Sequence, residues 1–434
     1  MENEQHIVIV GGGAGGLELA TSLGHKLGKK GKAKVTLIDR DAVHIWKPLL
    51  HEVATGSLDT EIDGVVYRAH AAKHYYHFQL GNLTGVNRDE KTVCLAPLFD
   101  EKGNQILPVR EIGYDLLVMA IGSSSNDFGT PGVLENCFML DSNEQAQRFQ
   151  KKLLNHFLRN SQTDANGETP VTKLAIVGAG ATGVELSAEL YHIVELVGIY
   201  DIDNKTGQHL SIDLIEAGNR ILPALPERIA SAAAQELEKL GVTIHTNKRI
   251  TEAKPGIFID AEGNRIEADL MVWSAGVKSA DWMSETGLSV NRRNQINCHR
   301  TLKSETDDAI YAIGDCCGVE MSDGLRVPPR AQSAHQMASV AEKNIINEIN
   351  SKPLIEFQYK DYGSLVNLSR FSTVGSLMGN LVSGSMFVEG RVARLMYLSL
   401  YRMHQLAIHG YIKGSFIIIM SKLSKLIRPK MKLH

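Results

Sequence analysis

The stretch that most constrains this chain is Ile7–Gly16, which reads IVIVGGGAGG. Four consecutive aliphatic residues predict a buried parallel strand, and the pattern G-x-G-x-x-G follows before a helical sequence that begins at Leu17. Such glycines let the backbone approach a pyrophosphate closely, and the N-terminus of the next helix directs N–H groups at the phosphates. The residues predicted to form this dinucleotide-binding turn are Gly11, Gly12, Gly13, Ala14, Gly15 and Gly16.

A second strand and an acidic residue follow in the order that this turn requires. The sequence Lys34–Ile38 predicts the strand, and Asp39 comes directly after it, 23 residues beyond Gly16. A carboxylate at this place accepts hydrogen bonds from ribose hydroxyls. The alternative is a glycine-rich loop that only caps a helix. The ordered series of strand, turn, helix, strand and acid favours the nucleotide site.

The same pattern occurs a second time, at a constant offset of 167 residues. Leu174–Ser187 reads LAIVGAGATGVELS and repeats Ile7–Ala20, so Glu185 corresponds to Glu18. Two units imply two different dinucleotides whose reactive rings can meet, because a single hydride carrier needs only one unit. The second turn contains Gly178, Gly180, Thr182 and Gly183.

The acidic residue of the second unit comes later than that of the first. Glu216 follows the strand Leu210–Ile215 and lies 33 residues after Gly183. About ten residues around positions 199–209 are therefore expected to form an inserted surface loop.

Three further apolar segments end in a glycine or an acidic residue. Tyr114–Gly122 and Ile266–Gly276 occupy matching places in the two halves, and Ala309–Asp315 is a third predicted strand. The carboxyl ends of parallel strands form the edge at which α/β sheets bind ligands. The residues predicted to lie at this edge are Gly122, Gly276, Gly314 and Asp315.

A helix is predicted to begin at Ala331, since prolines precede its first turn. Gln332 and Gln336 lie on one face of it, at positions i and i+4. Two glutamines on a helix face are ordinarily solvated. If the helix N-terminus points at a flavin ring, they donate instead to carbonyl oxygens of the flavin or of a second substrate.

The C-terminal segment is basic and amphipathic. From Arg391 to the end there are nine Lys/Arg and no Asp/Glu, whereas the preceding residues carry a formal charge of −12. On a helical wheel the polar Arg391, Arg394, Arg402, Gln405 and His409 oppose the apolar Val392, Met396, Leu400, Met403 and Ala407. Farther on, Phe416, Met420, Leu423 and Ile427 face away from Ser421, Lys422, Lys425 and Arg428. This pattern favours helices lying at an anionic membrane surface over nucleic-acid binding, and the alternative is packing on the body or on a partner subunit.

The length, the cysteine content and the apolar runs of the chain limit the class of protein to which it can belong. A length of 434 residues predicts two or three domains. Five cysteines, an odd number without C-x-x-C or C-x-x-x-x-C, argue for a reducing compartment and against a redox-active cysteine pair. The chain enters a strand within a few residues, so no cleavable signal is expected. The longest apolar run near the C-terminus, Phe416–Met420, is too short to span a bilayer.

These motifs together resemble the single-subunit type II NADH:quinone oxidoreductases, a group of flavoproteins with two dinucleotide-binding domains. The sequences that carry the resemblance are Trp46–Gly56 (WKPLLHEVATG), Gly178–Glu185 (GAGATGVE), Ala331–Gln336 (AQSAHQ) and the basic C-terminal helices. The resemblance covers essentially the whole chain. It implies an α/β fold with two Rossmann-like dinucleotide-binding domains, one for FAD and one for NADH, plus a C-terminal region of amphipathic helices that associates with the membrane.

The resemblance also implies how the residues divide between the two cofactors. FAD would be held by the first glycine turn with Asp39, Lys47, Gly314 and Asp315, and NADH by the second turn with Glu185, Glu216 and Gly276. The segment that contains Ala331, Gln332 and Gln336 would line the quinone pocket beside the flavin. The implied boundaries are 1–130 and 291–365 for the FAD-binding domain, 131–290 for the inserted NADH-binding domain, and 366–434 for the membrane-association region.

The expected reaction passes a hydride from NADH to the flavin and then two electrons and two protons to a quinone, without transmembrane proton transfer. Glu185 would relay protons or hold the nicotinamide, and the alternative is a first-turn carboxylate stabilised by the helix dipole. Glu216 would accept from the adenosine 2′-hydroxyl and repel the 2′-phosphate of NADPH, although Arg220 nearby weakens that discrimination.

Two other functions remain open at this point, namely a soluble reductase that feeds ferredoxin or oxygen, and a non-catalytic NADH-sensing flavoprotein. We expect a peripheral (monotopic) protein on the cytoplasmic face of the inner or plasma membrane. Its partners would be NADH, quinone and anionic lipid through residues 391–434, with no nucleic acid and no bound metal. Homodimerisation is left open.

Overall fold

The computed structural model describes residues 4–160, 171–199, 210–322, 324–368, 372–379, 382–389 and 401–427. The inserted loop predicted around residues 199–209 lies almost wholly outside the described residues, as does most of the first half of the predicted tail helix. Among the described residues, no helix combines the length and the apolar character needed to cross a membrane.

The first sheet is parallel and contains the strand predicted from Ile7–Val10. Its strands are β1 (Gln5–Val10), β2 (Ala33–Asp39), β5 (His77–Leu80), β11 (Leu116–Met119) and β22 (Ile310–Ala312), in the order β22-β11-β1-β2-β5. β1 lies in the middle, between β2 and β11, and its four aliphatic side chains are fully buried. A continuous aliphatic run is what a central parallel strand covered on both faces requires.

The second sheet repeats this arrangement with four parallel strands. They are β13 (Thr172–Val177), β14 (Leu210–Ile215), β15 (Val242–His245) and β19 (Leu270–Trp273), in the order β15-β14-β13-β19. β13 and β19 correspond to β1 and β11, so the internal repeat of the sequence is a repeat of structure. The expected fold class, α/β with two Rossmann-like units, is confirmed.

Each unit also carries a three-stranded antiparallel sheet at the same place in its topology. These strands are β6 (Leu83–Asn87), β7 (Thr92–Leu95) and β10 (Arg110–Gly113) in the first unit, and β16 (Ile250–Lys254), β17 (Ile257–Asp260) and β18 (Arg265–Glu267) in the second. The remaining two-stranded pairs are β3 (Val43–His44) with β4 (Val65–Val66), β8 (Leu98–Phe99) with β9 (Gln105–Leu107), β12 (Ser124–Ser125) with β20 (Val277–Lys278), and β21 (Ile296–Cys298) with β23 (Cys317–Val319). A last antiparallel sheet contains β24 (Gly363–Leu368), β25 (Ser372–Gly379) and β26 (Val382–Glu389).

The described residues form eleven α-helices. They are α1 (Ala14–Lys26), α2 (Leu50–Thr55), α3 (Thr60–Asp63), α4 (Tyr67–His74), α5 (Val133–Asn136), α6 (Asn143–Asn160), α7 (Ala181–Ile199), α8 (Glu227–Leu240), α9 (Ala331–Ile349), α10 (residues 401–409) and α11 (Tyr411–Ile427). Short 3₁₀ helices lie at Gly28–Lys30, Lys47–Leu49, Asp281–Glu285 and Gly314–Cys316. α9 begins at Ala331, as predicted. All five cysteines are free.

The order of strands along the chain explains how the units are connected. The first sheet takes strands from residues 5–119 and 310–312, and the whole second sheet lies between them in the sequence. This order supports the boundaries 1–130, 131–290, 291–365 and 366–434, which stay a proposal. β12 and β20, which lie in the two crossings between units, pair with each other in an antiparallel bridge.

α10 packs on the first unit with its polar side inward. His404, Gln405 and Ile408 are buried, whereas Met403 and Ala407, on the predicted apolar face, are exposed. The packing on the body that the sequence left as an alternative therefore occurs, and it leaves the apolar face of α10 directed outward. Exposed apolar side chains continue along α11, where Ile412 is 88% exposed.

A buried carboxylate on α1 connects this tail helix to α9. Glu18 accepts from Nδ1 of His335 at 2.5 Å and from Nδ1 of His404 at 2.7 Å, and Nε2 of His404 lies 2.9 Å from Nε2 of His44. Hydrogen bonds from the two imidazoles lower the pKa of Glu18 in spite of its burial, and the carboxylate raises the pKa of His335. Glu18 is thus an anion shared by helices that lie far apart in the sequence.

Replacing Glu18 with glutamine should lower the stability of the fold. One end of the amide cannot accept a hydrogen bond from an imidazole, so we expect a loss of about 1–3 kcal/mol in the free energy of unfolding at pH 7, measured by urea denaturation. Because the pKa of Glu18 is lowered, the difference should be present above about pH 4.5 and should shrink as the pH falls through the folded-state pKa. Glu101→Gln, in an exposed turn, is the control, and an equal effect of both substitutions would contradict this role.

Candidate active site

Both glycine turns have the geometry that a pyrophosphate requires. Gly11 and Gly178 have φ values of +103° and +102°. A Cβ atom on Gly16 would lie 1.8 Å from the carbonyl oxygen of Gly11, and one on Gly183 would lie 2.1 Å from that of Gly178. Only glycine therefore permits this approach of helix to strand.

The middle glycine of each turn faces open space. A Cβ atom on Gly13 or on Gly180 would meet no described atom within 4 Å. Each turn thus leaves room for a ligand at the N-terminus of its helix, α1 or α7, where free N–H groups and the helix dipole favour phosphate. The residues present fit the pyrophosphates of FAD and NADH.

The two predicted acids reach back to these turns in equivalent ways. Asp39 accepts from the backbone N–H of Gly12 at 2.5 Å, and Glu216 accepts from that of Ala179 at 3.0 Å. Burial raises the pKa of Asp39. Each carboxylate is therefore held at the carboxyl end of the second strand of its unit, where a ribose would lie.

A cavity of about 1390 Å³ joins the two nucleotide-binding edges. Its wall includes residues from both glycine turns, from the loop after β2 and from the start of α9. The predicted site residues among the lining are Gly11, Gly13, Ala14, Gly15, Gly16, Asp39, Lys47, Gly122, Gly180, Thr182, Glu185, Gly276, Gly314, Asp315, Ala331, Gln332 and Gln336. Four predicted residues lie behind this surface and shape the turns, namely Gly12, Gly178, Gly183 and Glu216.

Lys47 and Asp315 meet at the carboxyl edge of the first sheet through a common neighbour. Lys47 donates from Nζ to the carbonyl oxygen of Ser123, and the hydroxyl of Ser123 donates to Oδ2 of Asp315 at 2.7 Å. Gly122 and Gly314 have φ values of +72°, which brings the backbone close to the cavity. Lys47, Gly122, Gly314 and Asp315 therefore lie together at one edge, and their binding of a cofactor stays a prediction.

Glu185 lies in the wall between the two units and is buried. It accepts from the backbone N–H of Asn367 at 3.0 Å, and its Oε2 lies 3.8 Å from Nδ1 of His51. Burial, together with the carboxylates of Glu52 and Glu189, raises the pKa of Glu185 to about 8. Glu185 is therefore largely protonated at neutral pH, and it can donate a proton into the cavity.

Gln332 and Gln336 are engaged by the backbone of the segment before β24. Gln332 donates to the carbonyl oxygen of Gly363 at 3.0 Å and accepts from the N–H of Tyr362, while Gln336 exchanges both hydrogen bonds with Lys360. The two amides thus fasten this segment to α9. Their expected donation to a flavin or a second substrate stays a prediction.

Three residues that border the cavity were not predicted from the sequence, namely Glu18, His335 and His404. One signal was available, because Glu18 is the counterpart of Glu185 in the internal repeat. The imidazole partners were not predictable, since they come from α9 and from the tail.

Comparisons with known proteins agree with this site. A family model described as pyridine nucleotide-disulphide oxidoreductase matches residues 5–338. The type II NADH:quinone oxidoreductase of Haemophilus influenzae is 48% identical over 443 aligned residues, which cover 99% of this chain and 100% of that protein. The Staphylococcus aureus protein of the same description is 27% identical and covers 88% of this chain and 92% of its own.

A solved structure has a similar fold. NDH2 of Plasmodium falciparum in complex with NADH superposes with a TM-score of 0.80 at 20% identity, covering 99% of this chain and 100% of that chain. At this identity the likeness concerns the fold.

Alanine at Gly13 should separate ligand binding from folding. The φ of Gly13 is −62° and a Cβ would meet no described atom, so the fold should tolerate the change while the methyl group occupies the place of a pyrophosphate. We expect purified Gly13→Ala protein to keep less than about a tenth of the wild-type flavin per chain, measured by absorbance. Gly180→Ala should keep the flavin and raise the KM for NADH.

Gly85→Ala is the matched control, because its Cβ would also meet no described atom within 4 Å and it lies in β6, away from the cavity. Full flavin content in Gly13→Ala would contradict the assignment of the first turn.

Proposed function

This chain belongs to the pyridine nucleotide-disulphide oxidoreductase family and, within it, to the type II NADH:quinone oxidoreductases, and on that premise we propose that it oxidises NADH through FAD and reduces a quinone to quinol. One observation carries the proposal: two dinucleotide turns, a protonated carboxyl group and the start of α9 border a single continuous cavity. FAD held by the first glycine turn with Asp39, Lys47, Gly314 and Asp315 would supply the hydride acceptor and the two-electron donor of this reaction.

We assign the first unit to FAD. The turn Gly11–Gly16 would receive the pyrophosphate at the N-terminus of α1, and Asp39 would accept from the ribose hydroxyls. Lys47, Gly122, Gly314 and Asp315 would hold the half of FAD that reaches the carboxyl edge of the sheet, and Ala331 would face the ring from the start of α9. These residues supply binding and orientation, and none of them acts as a nucleophile.

We assign the second unit to NADH. The turn from Gly178 to Gly183, including Thr182, would hold the pyrophosphate, and Gly276 would leave room at the second crossing between units. Glu216 would accept from the adenosine 2′-hydroxyl. Arg220 donates to the carbonyl oxygens of Leu225 and Pro223, so its guanidinium is already engaged and is not positioned as a free ligand for a 2′-phosphate. This arrangement favours NADH over NADPH.

Glu185 is our candidate proton donor for the quinone. Quinol formation consumes two protons, and a carboxyl group with a pKa of about 8 still holds its proton at neutral pH. Gln332 and Gln336 would define the opposite wall by holding residues 360–363 on α9. Gln332 and Gln336 would therefore influence quinone binding by setting the shape of the pocket as well as by direct contact.

We also propose that the tail attaches the protein to anionic lipid at residues 391–434. Met403, which also borders the cavity, and Ala407 are exposed on α10, and Phe416, Met420 and Leu423 are exposed on α11. Lys413 on α11 is exposed beside these apolar residues. Apolar burial and attraction of the basic residues to lipid headgroups act together at such a surface. Attachment at the cytoplasmic face stays a prediction.

The alternatives, a soluble reductase for ferredoxin or oxygen and an NADH sensor, differ in how the reduced protein is reoxidised. We expect NADH to bleach the flavin absorbance near 450 nm and a short-chain quinone to restore it faster than about one per second, in anaerobic stopped flow. Slow reoxidation by quinone, with fast reoxidation by oxygen or with none, would contradict the proposal.

Glu185→Gln should affect the two half-reactions differently. Glutamine resembles the protonated carboxyl group but has no acidic proton, so bleaching by NADH should stay within about twofold and reoxidation by quinone should slow at least about tenfold. In the wild type, reoxidation should decline as the pH rises above about 8, because Glu185 then loses its proton. Glu342→Gln is the control, because Glu342 lies on α9 outside the cavity lining and accepts from the hydroxyl of Ser22. Equal reoxidation rates in the wild type and Glu185→Gln would exclude Glu185 as the donor.

The membrane proposal predicts a loss of lipid binding when the exposed apolar residues of α11 are changed. The double substitution Ile412→Ser and Phe416→Ser should weaken flotation with vesicles that contain about one third anionic lipid by at least about tenfold. Leu134→Ser is the control, since Leu134 is 68% exposed on α5. Unchanged flotation of the double variant would overturn the assignment of this surface.

A further inference from the structure

Four histidines converge where α10 meets the first unit, and none of them belongs to the cavity lining described above. His70 and His74 lie on α4, His25 lies near the end of α1, and His409 is at the end of α10. The proposed reaction uses none of these side chains. The sequence predicts no metal site, because these four residues are spread over almost the whole chain and form no local ligand pattern.

His70 and His74 are one helical turn apart, at i and i+4. Both are buried, and their rings stack with centroids 4.0 Å apart. Two imidazoles at this spacing on one helix can bind the same metal ion. The stack is therefore a pair of nitrogen donors presented from one rigid element.

His409 adds a donor from the tail. Its ring lies 5.5 Å from that of His70, and one nitrogen from each of His70, His74 and His409 lies within 4.8 Å of the other two. A tetrahedral Zn²⁺ with Zn–N distances of about 2.0–2.1 Å would hold such nitrogens about 3.4 Å apart. To close the site the nitrogens must approach by about 1 Å. One ring of the His70–His74 stack must also rotate, because a metal ion lies in the plane of each imidazole that binds it.

Neighbouring groups already orient these rings. Nδ1 of His74 lies 2.9 Å from Nε2 of His25, and Nε2 of His70 donates to the carbonyl oxygen of Ile408 at 2.9 Å. A carbonyl only accepts, so the lone pair of His70 lies on Nδ1, where the hydroxyl of Tyr76 is now the partner. Such outer contacts fix the tautomer and direction of a metal-binding histidine, and a metal at Nδ1 would displace that hydroxyl.

The donor set determines the class of ion. Three imidazoles without a carboxylate suit Zn²⁺ and the neighbouring divalent transition metals, whereas Mg²⁺ and Ca²⁺ prefer oxygen ligands. Lys73 and Lys413 act electrostatically on His74 and His409. Their positive charges oppose a dication, so the affinity should be moderate.

We propose that His70, His74 and His409 form a binding site for one divalent transition-metal ion, with His25 orienting His74. Since the ligands come from α4 and from α10, the ion would join the tail helix to the FAD-binding unit. This inference is independent of the quinone reaction, and its test uses a binding readout.

The test is titration of the tag-free, FAD-loaded full-length protein with Zn²⁺ alone, followed by calorimetry and by metal analysis after desalting. We expect one equivalent per chain with a Kd of about 10 µM or lower. His74→Asn and His409→Asn should each weaken binding at least about tenfold, and His77→Asn, an exposed histidine just beyond α4, should leave it unchanged. Co²⁺ should give the visible absorption of a tetrahedral nitrogen site.

Flavin content and thermal unfolding without metal verify that each variant is folded, and His409→Asn is the milder of the two because His409 is half-buried. No stoichiometric binding by the wild type would overturn the proposal and leave the cluster as a stack of imidazoles that docks the tail. Binding that survives both His74→Asn and His409→Asn would overturn it as well.

Discussion

The close approach of helix to strand at the two glycine turns is the contact on which the rest of this structure depends. The carbonyl oxygen of Gly11 occupies the space that a side chain at position 16 would need, and that of Gly178 does the same at position 183. Any other residue would push α1 or α7 away from its sheet and withdraw the helix N-terminus from the strand ends. This close approach occurs in both units, so Asp39 and Glu216 can each accept a hydrogen bond from the glycine turn of their unit. Both nucleotide-binding edges open into the same cavity.

The internal repeat also places two glutamates in equivalent positions, and their surroundings give them opposite properties. Glu18 meets two imidazoles, which lower its pKa and keep it anionic. Glu185 meets carboxylates and an apolar wall, which raise its pKa to about 8 and keep it protonated. Pairs of titratable groups whose environments separate their pKa values commonly take different roles. Here the anion holds α9 and α10 together, and we propose that the acid serves the reaction.

The parts of the fold and site that could be predicted from the sequence are those set by short-range backbone constraints. The turns, the acids after the second strands, the glycines at the sheet edge and the start of α9 at Ala331 all follow from local spacing. The partners of Gln332 and Gln336 could not be predicted, since they are backbone groups 31 and 24 residues farther on. A helical wheel separates the two faces of α10, but it does not say which face the body will cover. That choice depends on Glu18 and His44, which lie more than 350 residues away.

The pairing of β12 with β20 has a consequence for how substrates come and go. The two covalent crossings between the units are hydrogen-bonded to each other, and Lys278 on the second crossing forms an ion pair with Asp127 on the first at 3.3 Å. Two crossings fastened side by side resist twisting and shear better than two independent strands. This pairing restricts the relative motion of the units before any nucleotide arrives, and such preorganisation lowers the share of the binding free energy of NADH that ordering the two units would consume.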